Sequence, residues 1–197
     1  MNVPMRPRRK IIFQMSISLD GFFAGPNEEL DWQLIDEELH QHFNDEARTM
    51  GAFLDGRVTH ELMVDYWPTA DTDPDSPPQI VEFAGIWRDM PKVVFSTTLV
   101  SAGWNTTISR EVDPDEIERL RDESGGDLGV GGAVLARSFM RHDLIDELRI
   151  YVHPIAIGRG RPLFPLSDRE IPLTLLETRR FSSGVVLLRY ATDSMAA

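Results

Sequence analysis

Asp127-Leu128-Gly129-Val130-Gly131-Gly132-Ala133 is the stretch that decides the fold. A strand pattern over Asp127 to Val130 runs into adjacent glycines. A helical pattern begins at once, Ala133 to Arg141, with Leu135 and Phe139 on one face. Glycine lets a phosphate approach the backbone, and a helix N-terminus offers unpaired N–H groups and the positive end of the helix dipole. The stretch lacks the third glycine of G-x-G-x-x-G and the lysine of a Walker A loop. Taken alone it also reads as a tight strand-to-helix turn.

Working outward, the same grammar recurs upstream. Asp55-Gly56-Arg57-Val58-Thr59-His60-Glu61 follows a short apolar strand, Met50 to Leu54, and precedes a helix expected over Thr59 to Trp67 with Thr59 as its cap. Arg57 stands beside that N-terminus, as a phosphate partner or as an arginine on a solvated helix end. A third strand, Lys92 to Ser96, ends in Phe95-Ser96-Thr97-Thr98-Leu99. Its hydroxyls suit a ribose or phosphate, or a turn. In open α/β sheets ligands lie outside the carboxyl ends of the strands, where all three segments can meet.

The remaining pattern supplies the sheet. Strands are expected at Lys10 to Ser18, Glu147 to Val152, Thr174 to Arg180 and Val185 to Tyr190. The last two flank Ser182-Ser183-Gly184 as a hairpin. Helices are expected at Asp36 to Thr49, with Leu39, Phe43 and Ala47 on one face, and at Pro78 to Arg88. Another starts at Asp113-Pro114-Asp115-Glu116, an N-cap acid followed by proline at the first helical position. Strands alternating with helices predict an α/β fold: a central, mostly parallel mixed sheet, a C-terminal antiparallel hairpin, and helices on both faces.

Composition narrows the function. The 197 residues suit one domain, with 42% hydrophobic and 26% charged residues. There is no cysteine, which excludes a thiolate nucleophile and a sulfur-built zinc site and fits a reducing cytosol. A net charge of -12 argues against a general nucleic-acid surface. No apolar run approaches the roughly 20 residues of a membrane span. Residues 1–9, with Arg6, Arg8 and Arg9, read as a flexible basic tail or a surface-binding arm, 10–191 as the domain and 192–197 as a second tail. His40 and His42 are two apart, not the i, i+4 of a helical metal pair, and no metal site is expected.

A fourth segment marks a substrate mouth. Ser16-Ile17-Ser18-Leu19-Asp20-Gly21-Phe22 ends a strand in a turn pair. Asp20 either holds that turn or faces substrate beside Ser18. Trp32, Phe43 and Trp67 are read as an aromatic wall for a flat heterocycle, or as core.

In this order, Ser18-Leu19-Asp20-Gly21, Gly56-Arg57-Val58-Thr59, Phe95-Ser96-Thr97-Thr98-Leu99, Val130-Gly131-Gly132-Ala133, Leu144-Ile145-Asp146-Glu147-Leu148 and Pro154 to Phe164 resemble a known reductase. It is the C-terminal reductase domain of the riboflavin-biosynthesis bifunctional deaminase/reductase, a member of the dihydrofolate reductase-like superfamily; this chain would be a stand-alone member. The resemblance covers Lys10 to about Ala191. It implies a three-layer dihydrofolate reductase-like fold and NADPH as hydride donor, with NADH left open. It implies Gly56, Arg57, Val58 and Thr59 at the pyrophosphate and 2′-phosphate, and Ser96, Thr97 and Thr98 at the adenosine end. Gly131, Gly132, Ala133 and Val134 would pass close to the pyrophosphate, through an unusual Gly131-Gly132 peptide, and Ser16 would meet the nicotinamide through its backbone. Asp20 and Asp36 are the candidate catalytic carboxylates, and a cytoplasmic homodimer is implied. Two departures stand out: threonine at Thr97 where many relatives carry arginine, and an acidic segment (Asn27-Glu28-Glu29, Asp36-Glu37-Glu38) where riboflavin-pathway reductases carry arginines for a ribose phosphate. The expected function is reduction of a small flat heterocycle, pyrimidine- or pterin-like. The alternative is a non-catalytic nucleotide-binding dimer on the same fold.

Overall fold

A computed structural model describes residues 8–164 and 170–192. Its main sheet has eight strands. In chain order these are β1 (Ile11–Ser18), β3 (Met50–Gly56), β4 (Lys92–Phe95), β5 (Thr106–Ser109), β6 (Asp127–Gly131), β7 (Glu147–His153), β9 (Leu173–Arg180) and β10 (Val186–Thr192). A small second sheet pairs β2 (Phe22–Ala24) with β8 (Arg161–Pro162). The helices are α1 (Glu37–Thr49), α2 (Arg57–Tyr66), α3 (Pro78–Asp89), α4 (Pro114–Asp122) and α5 (Ala133–Arg141).

The main sheet runs β5-β4-β3-β6-β1-β7-β10-β9. From β5 to β7 every pairing is parallel; β10 alone runs against both its neighbours. The expected mixed sheet with its terminal hairpin is therefore present. Alternation along β1 sets the layers. Ile11 and Phe13 pack with Ile117 of α4 and Leu135, Ala136 and Phe139 of α5. Ile12 points the other way, to Met50, Met90 and Ile86 of α3. On that second face Leu39 of α1 covers Tyr151, Phe181, Val185 and Leu187. Helices thus lie on both faces, as a dihydrofolate reductase-like three-layer arrangement requires.

The helix starts follow their caps. Asp36 Oδ1 accepts from the Leu39 N–H at 2.9 Å, and Asp113 accepts from the Asp115 N–H at 2.9 Å with Pro114 next in line. Helix α2 departs from expectation. It begins at Arg57, with Gly56 in extended backbone as the N-cap and no side-chain cap, so Thr59 lies inside the helix. Short β2, β5 and β8 were not expected, since strands of two to four residues carry too little alternation to read.

The domain also reaches beyond the expected boundaries. Residues 1–7 and 193–197 lie outside the described residues, but Arg9 is no tail residue. It is buried, and its guanidinium donates to Gly126 O at 2.6 Å and Leu120 O at 3.2 Å. Arg8 pairs with Asp122 at 2.8 Å. At the other end Thr192 belongs to β10, its N–H donating to Asp146 O. The Leu144-to-Leu148 motif is likewise structural. Asp146 accepts from the Ile11 N–H at 2.7 Å, and Nη2 of Arg121 lies 2.8 Å from both its oxygens, while Glu147 takes Arg149 at 2.7 Å and Arg189 at 2.9 Å. A buried carboxylate needs such partners, and here β1, α4 and β10 supply them along with Arg149 of the same strand. Among the described residues no helix is long and apolar enough to cross a membrane.

Candidate active site

The unequal pairing of β1 creates the site. It meets β6 only from Ile11↔Leu128 to Phe13↔Val130, but meets β7 from Ile12 to Ser18. Since β6 ends at Gly131, the β6-side edge of β1 is open beyond Gln14. Lys10 O accepts from Leu128 on the β6 side, and Ile11 O accepts from Asp146 on the β7 side. Successive residues of a strand turn their backbone groups to alternate edges. By that alternation the N–H and C=O of Ser16 face the open edge, where a ligand amide can pair with them.

Two helix starts follow the strands on this side of β1, α5 after β6 and α2 after β3. Neither α2 nor α5 has a side-chain cap, and their N-cap residues are Gly56 and Gly132. The two starts touch: a Cβ on Gly132 would stand 2.5 Å from Thr59 Oγ1, and one on Gly131 would stand 2.1 Å from Asp55 Oδ1. Gly132 also has φ +92, a conformation side-chain-bearing residues rarely adopt. The Gly131-Gly132 peptide is trans, so what is unusual here is the φ of Gly132. Val58 (51%) and Val134 (57%) leave their apolar side chains exposed beside these starts. Arg57 is exposed and paired with Glu61 at 2.7 Å, one turn along α2.

The loop after β4 is held by its own residues. Ser96 is buried, and its Oγ accepts from the Thr98 N–H at 3.2 Å and the Leu99 N–H at 2.9 Å. That hydroxyl makes the turn. Thr97 and Thr98 are exposed at its tip. Arg110, not singled out from sequence, braces the loop from below by donating to Ser96 O at 2.9 Å and Leu99 O at 2.8 Å.

The expected catalytic carboxylates are occupied. Asp20 accepts from the Gly158 N–H at 2.7 Å and the Ile157 N–H at 3.2 Å, tying the end of β1 to the Pro154-to-Phe164 segment. The Ser18 hydroxyl and these N–H groups hold its carboxyl below the ordinary carboxylate range. Asp20 thus anchors the turn as an ionised carboxylate. Asp36 caps α1 with Oδ1 and accepts from the Ser182 hydroxyl at 3.0 Å with Oδ2. One oxygen thus caps α1 and the other faces the β9–β10 turn, where the Ser182 hydroxyl lies between Asp36 and Glu38 (2.7 Å). Ser18 is fully buried and accepts from the Phe22 N–H at 3.0 Å.

The expected aromatic wall divides. Phe43 packs edge-on against Tyr151 at 4.8 Å and belongs to the core beneath α1. Trp67 stacks with Phe83 at 4.4 Å, Tyr66 at 4.9 Å and His40 at 6.0 Å, between α1 and α3. Trp32 stands at 89° to His153, 5.6 Å away. These are three separate ring groups, because α1 turns Phe43 toward the sheet and His40 toward α3.

Sequence reading also passed over a buried polar cluster under the two helix starts. Asp55, the penultimate residue of β3, is buried, and burial pushes its carboxyl up to about 7 against the pull of the Lys92 ammonium. Lys92 is itself buried. Its Nζ lies 4.3 Å over the Trp87 ring and donates to Met90 O and Trp104 O, and burial brings it down to about 8. His60 of α2 is buried beside them, lowered by burial and by Lys92. Asp55 lay inside a quoted motif, but the depth of its side chain follows from β6 closing over β3, which no local pattern reveals.

Comparison with known proteins agrees with this geometry. The family model described as the RibD C-terminal domain matches residues 9–187. The uncharacterized protein YyaP of Bacillus subtilis (strain 168) is 33% identical over 184 residues, 93% of this chain and 95% of YyaP. A crystal structure from Shewanella sp. PV-4, of a protein assigned to riboflavin biosynthesis, superposes with TM-score 0.73 at 21% identity, covering 93% of this chain and 99% of that one. Dihydrofolate reductase from Enterococcus faecalis, complexed with NADP(H), superposes with TM-score 0.60 at 17% identity, covering 93% and 96%. The fold is therefore the dihydrofolate reductase-like one, and the chain belongs to the RibD C-terminal domain family.

Proposed function

We propose that this chain is an NADPH-dependent reductase that delivers hydride to a small flat heterocycle, pyrimidine- or pterin-like. The observation that carries the reading is the open edge of β1 on the side where β6 and then β3 end in two touching helix starts without side-chain caps. Phosphate needs N–H donors, positive dipole ends and backbone without Cβ, and residues 56–59 and 131–134 supply all three. The Enterococcus relative of this fold is described with NADP(H), which supports the same cofactor here.

The bound nicotinamide cofactor would supply the hydride. The chain does the holding. Gly131, Gly132 and the first N–H groups of α5 and α2 bind the diphosphate. Arg57 exchanges Glu61 for a 2′-phosphate, and Thr97 and Thr98 lie at the adenosine end. Val58 and Val134 cover apolar ring faces, and the Ser16 backbone fixes the nicotinamide amide. The side chains turned toward α1 from the end of β1 orient the heterocycle. A cytosolic setting suits a chain without cysteine. A homodimer is also proposed, through edge strand β9, whose eight residues are all exposed, Leu175 and Leu176 among them.

Calorimetric titration with NADPH and NADH tests the reading. NADPH is expected to bind well below millimolar, and the Arg57→Ala variant to lose about 1–3 kcal/mol for NADPH and little for NADH. Absence of sub-millimolar binding by either nucleotide defeats the cofactor assignment, and equal losses remove the role of Arg57. A second reading has its own support. Both expected proton donors, Asp20 and Asp36, are engaged in structure, as in a nucleotide-binding dimer without turnover. NADPH binding with no oxidation across pterins, pyrimidines and carbonyl compounds favours that second reading.

A further inference from the structure

His153 closes β7, and its imidazole is fully buried. Its Nδ1 accepts from the Leu34 N–H at 3.0 Å. A ring nitrogen that accepts carries no proton, so in the neutral imidazole the proton sits on Nε2, which must donate. Nε2 is buried, and no hydrogen-bond partner meets it. An unsatisfied buried donor is costly, and such groups in native proteins commonly await a ligand or water.

Its place in the sheet says which ligand. His153 is the register partner of Ser18, as Tyr151 is of Ser16, so its side chain lies on the α1-covered face of the sheet, with those of Ser16 and Ser18. One strand spacing and two residues separate it from Ser16, roughly 8 Å across the sheet. A ring lying over the end of β1 covers that span. The segment between β2 and α1 borders the spot and leaves Leu30, Leu34 and Ile35 exposed by 45–47%. The Trp32 indole stands against the imidazole, and its Nε1 donates to Glu29 O within the same segment. A ligand that moves this indole aside gains both an apolar border and a donor.

Resting on the reductase reading, we propose that His153 is a substrate-positioning residue: its Nε2–H donates to a carbonyl oxygen or ring nitrogen of the heterocycle and fixes which face meets the cofactor. Burial holds the imidazole below its ordinary pKa, so it acts as a neutral donor and not as an acid that titrates with turnover. The substrate class is thereby limited to rings with an acceptor on the edge turned toward β7.

Two variants separate this role from a structural one. His153→Asn keeps an acceptor for Leu34 and removes the distal donor; His153→Gln keeps a donor near Nε2. Full-length protein saturated with NADP+ is titrated with 7,8-dihydropterin and with 5-aminouracil, following tryptophan fluorescence. The Asn variant is expected to bind the better probe about tenfold more weakly, the Gln variant within threefold of wild type, and NADPH binding to be unchanged in both. In 15N-histidine-labelled wild type, Nε2 should carry the proton, and its signal should shift on adding the heterocycle but not on adding NADP+. Equal heterocycle binding by wild type and the Asn variant, or a proton found on Nδ1, overturns the role of His153 while leaving NADPH binding intact. Wild type that binds NADPH but neither heterocycle overturns it together with the substrate half of the reductase reading.

Discussion

Replacing Asp55 with asparagine should make this protein more stable, and only above a certain pH. The carboxyl is buried beneath Gly131 and Thr59, and its pKa is pushed up from 3.8 to about 7. In the unfolded chain it titrates near 3.9. Between those values the folded state holds a proton that the unfolded state has released. Stability from this group is therefore complete below about pH 4, falls as pH rises toward 7, and is flat beyond. About three pKa units at about 1.4 kcal/mol each give roughly 4 kcal/mol by pH 8. The asparagine has no such slope. Urea unfolding at half-unit steps from pH 4.5 to 8.5 should show the two proteins nearly equal at the acid end, and Asp55→Asn more stable by roughly 3–4 kcal/mol at pH 8. Parallel curves across that range would refute the burial argument. The same carboxylate has a functional consequence, because its charge lies directly behind the proposed phosphate site. Wild-type NADPH affinity should fall as pH rises past 7, and that of the variant should not.

Four further outcomes are expected. Gly132→Ala places a Cβ at φ +92 and 2.5 Å from Thr59 Oγ1, so it should cost about 1–3 kcal/mol in unfolding free energy and weaken NADPH binding by calorimetry. Asp36→Ala removes the α1 cap, which should cost about 0.5–2 kcal/mol in chemical denaturation. Its kcat should remain within twofold of wild type on any substrate found, and a hundredfold loss would restore Asp36 as a catalytic acid. Arg110→Ala frees the loop over Ser96 to Leu99 and should raise NADPH and NADH dissociation constants alike, unlike the selective loss expected at Arg57. Leu175→Lys should turn a dimeric mass in light scattering into a monomeric one, and wild type of monomer mass ends the β9 proposal.

Much of the fold was legible because its signals are local. The glycine after β6, the Asp113-Pro114 start and the alternation of β1 each report their own backbone, and all are realised. What escaped is set by distant neighbours. Arg9 looks like tail until the carbonyls of Leu120 and Gly126 arrive beneath it. Asp36 looks like a free acid until Ser182, 146 residues on, brings its hydroxyl between Asp36 and Glu38. Trp32, Phe43 and Trp67 share a chemistry but not a wall, because helical phase and chain path separate them. Thr59 looked like a cap because the hydroxyl is the stronger signal, yet the extended backbone of Gly56 starts the helix two residues earlier.

The net charge of -12 raises a question that the site itself answers. A dinucleotide phosphate must approach through a repulsive field, which screening confines to about 8–10 Å at physiological salt. Inside that distance local donors decide. The two helix starts offer N–H groups that need no cation, and Arg57 adds a charge now shared with Glu61. Asp55, the carboxylate beneath Gly131 and Thr59, is one that burial leaves half protonated near neutrality. An acidic chain can thus hold an acidic cofactor if its fixed dipoles face the ligand and its nearest acid can accept a proton. Affinity should then fall only weakly with added salt, since few side-chain cations take part, and a steep salt dependence would point instead to arginines outside this site.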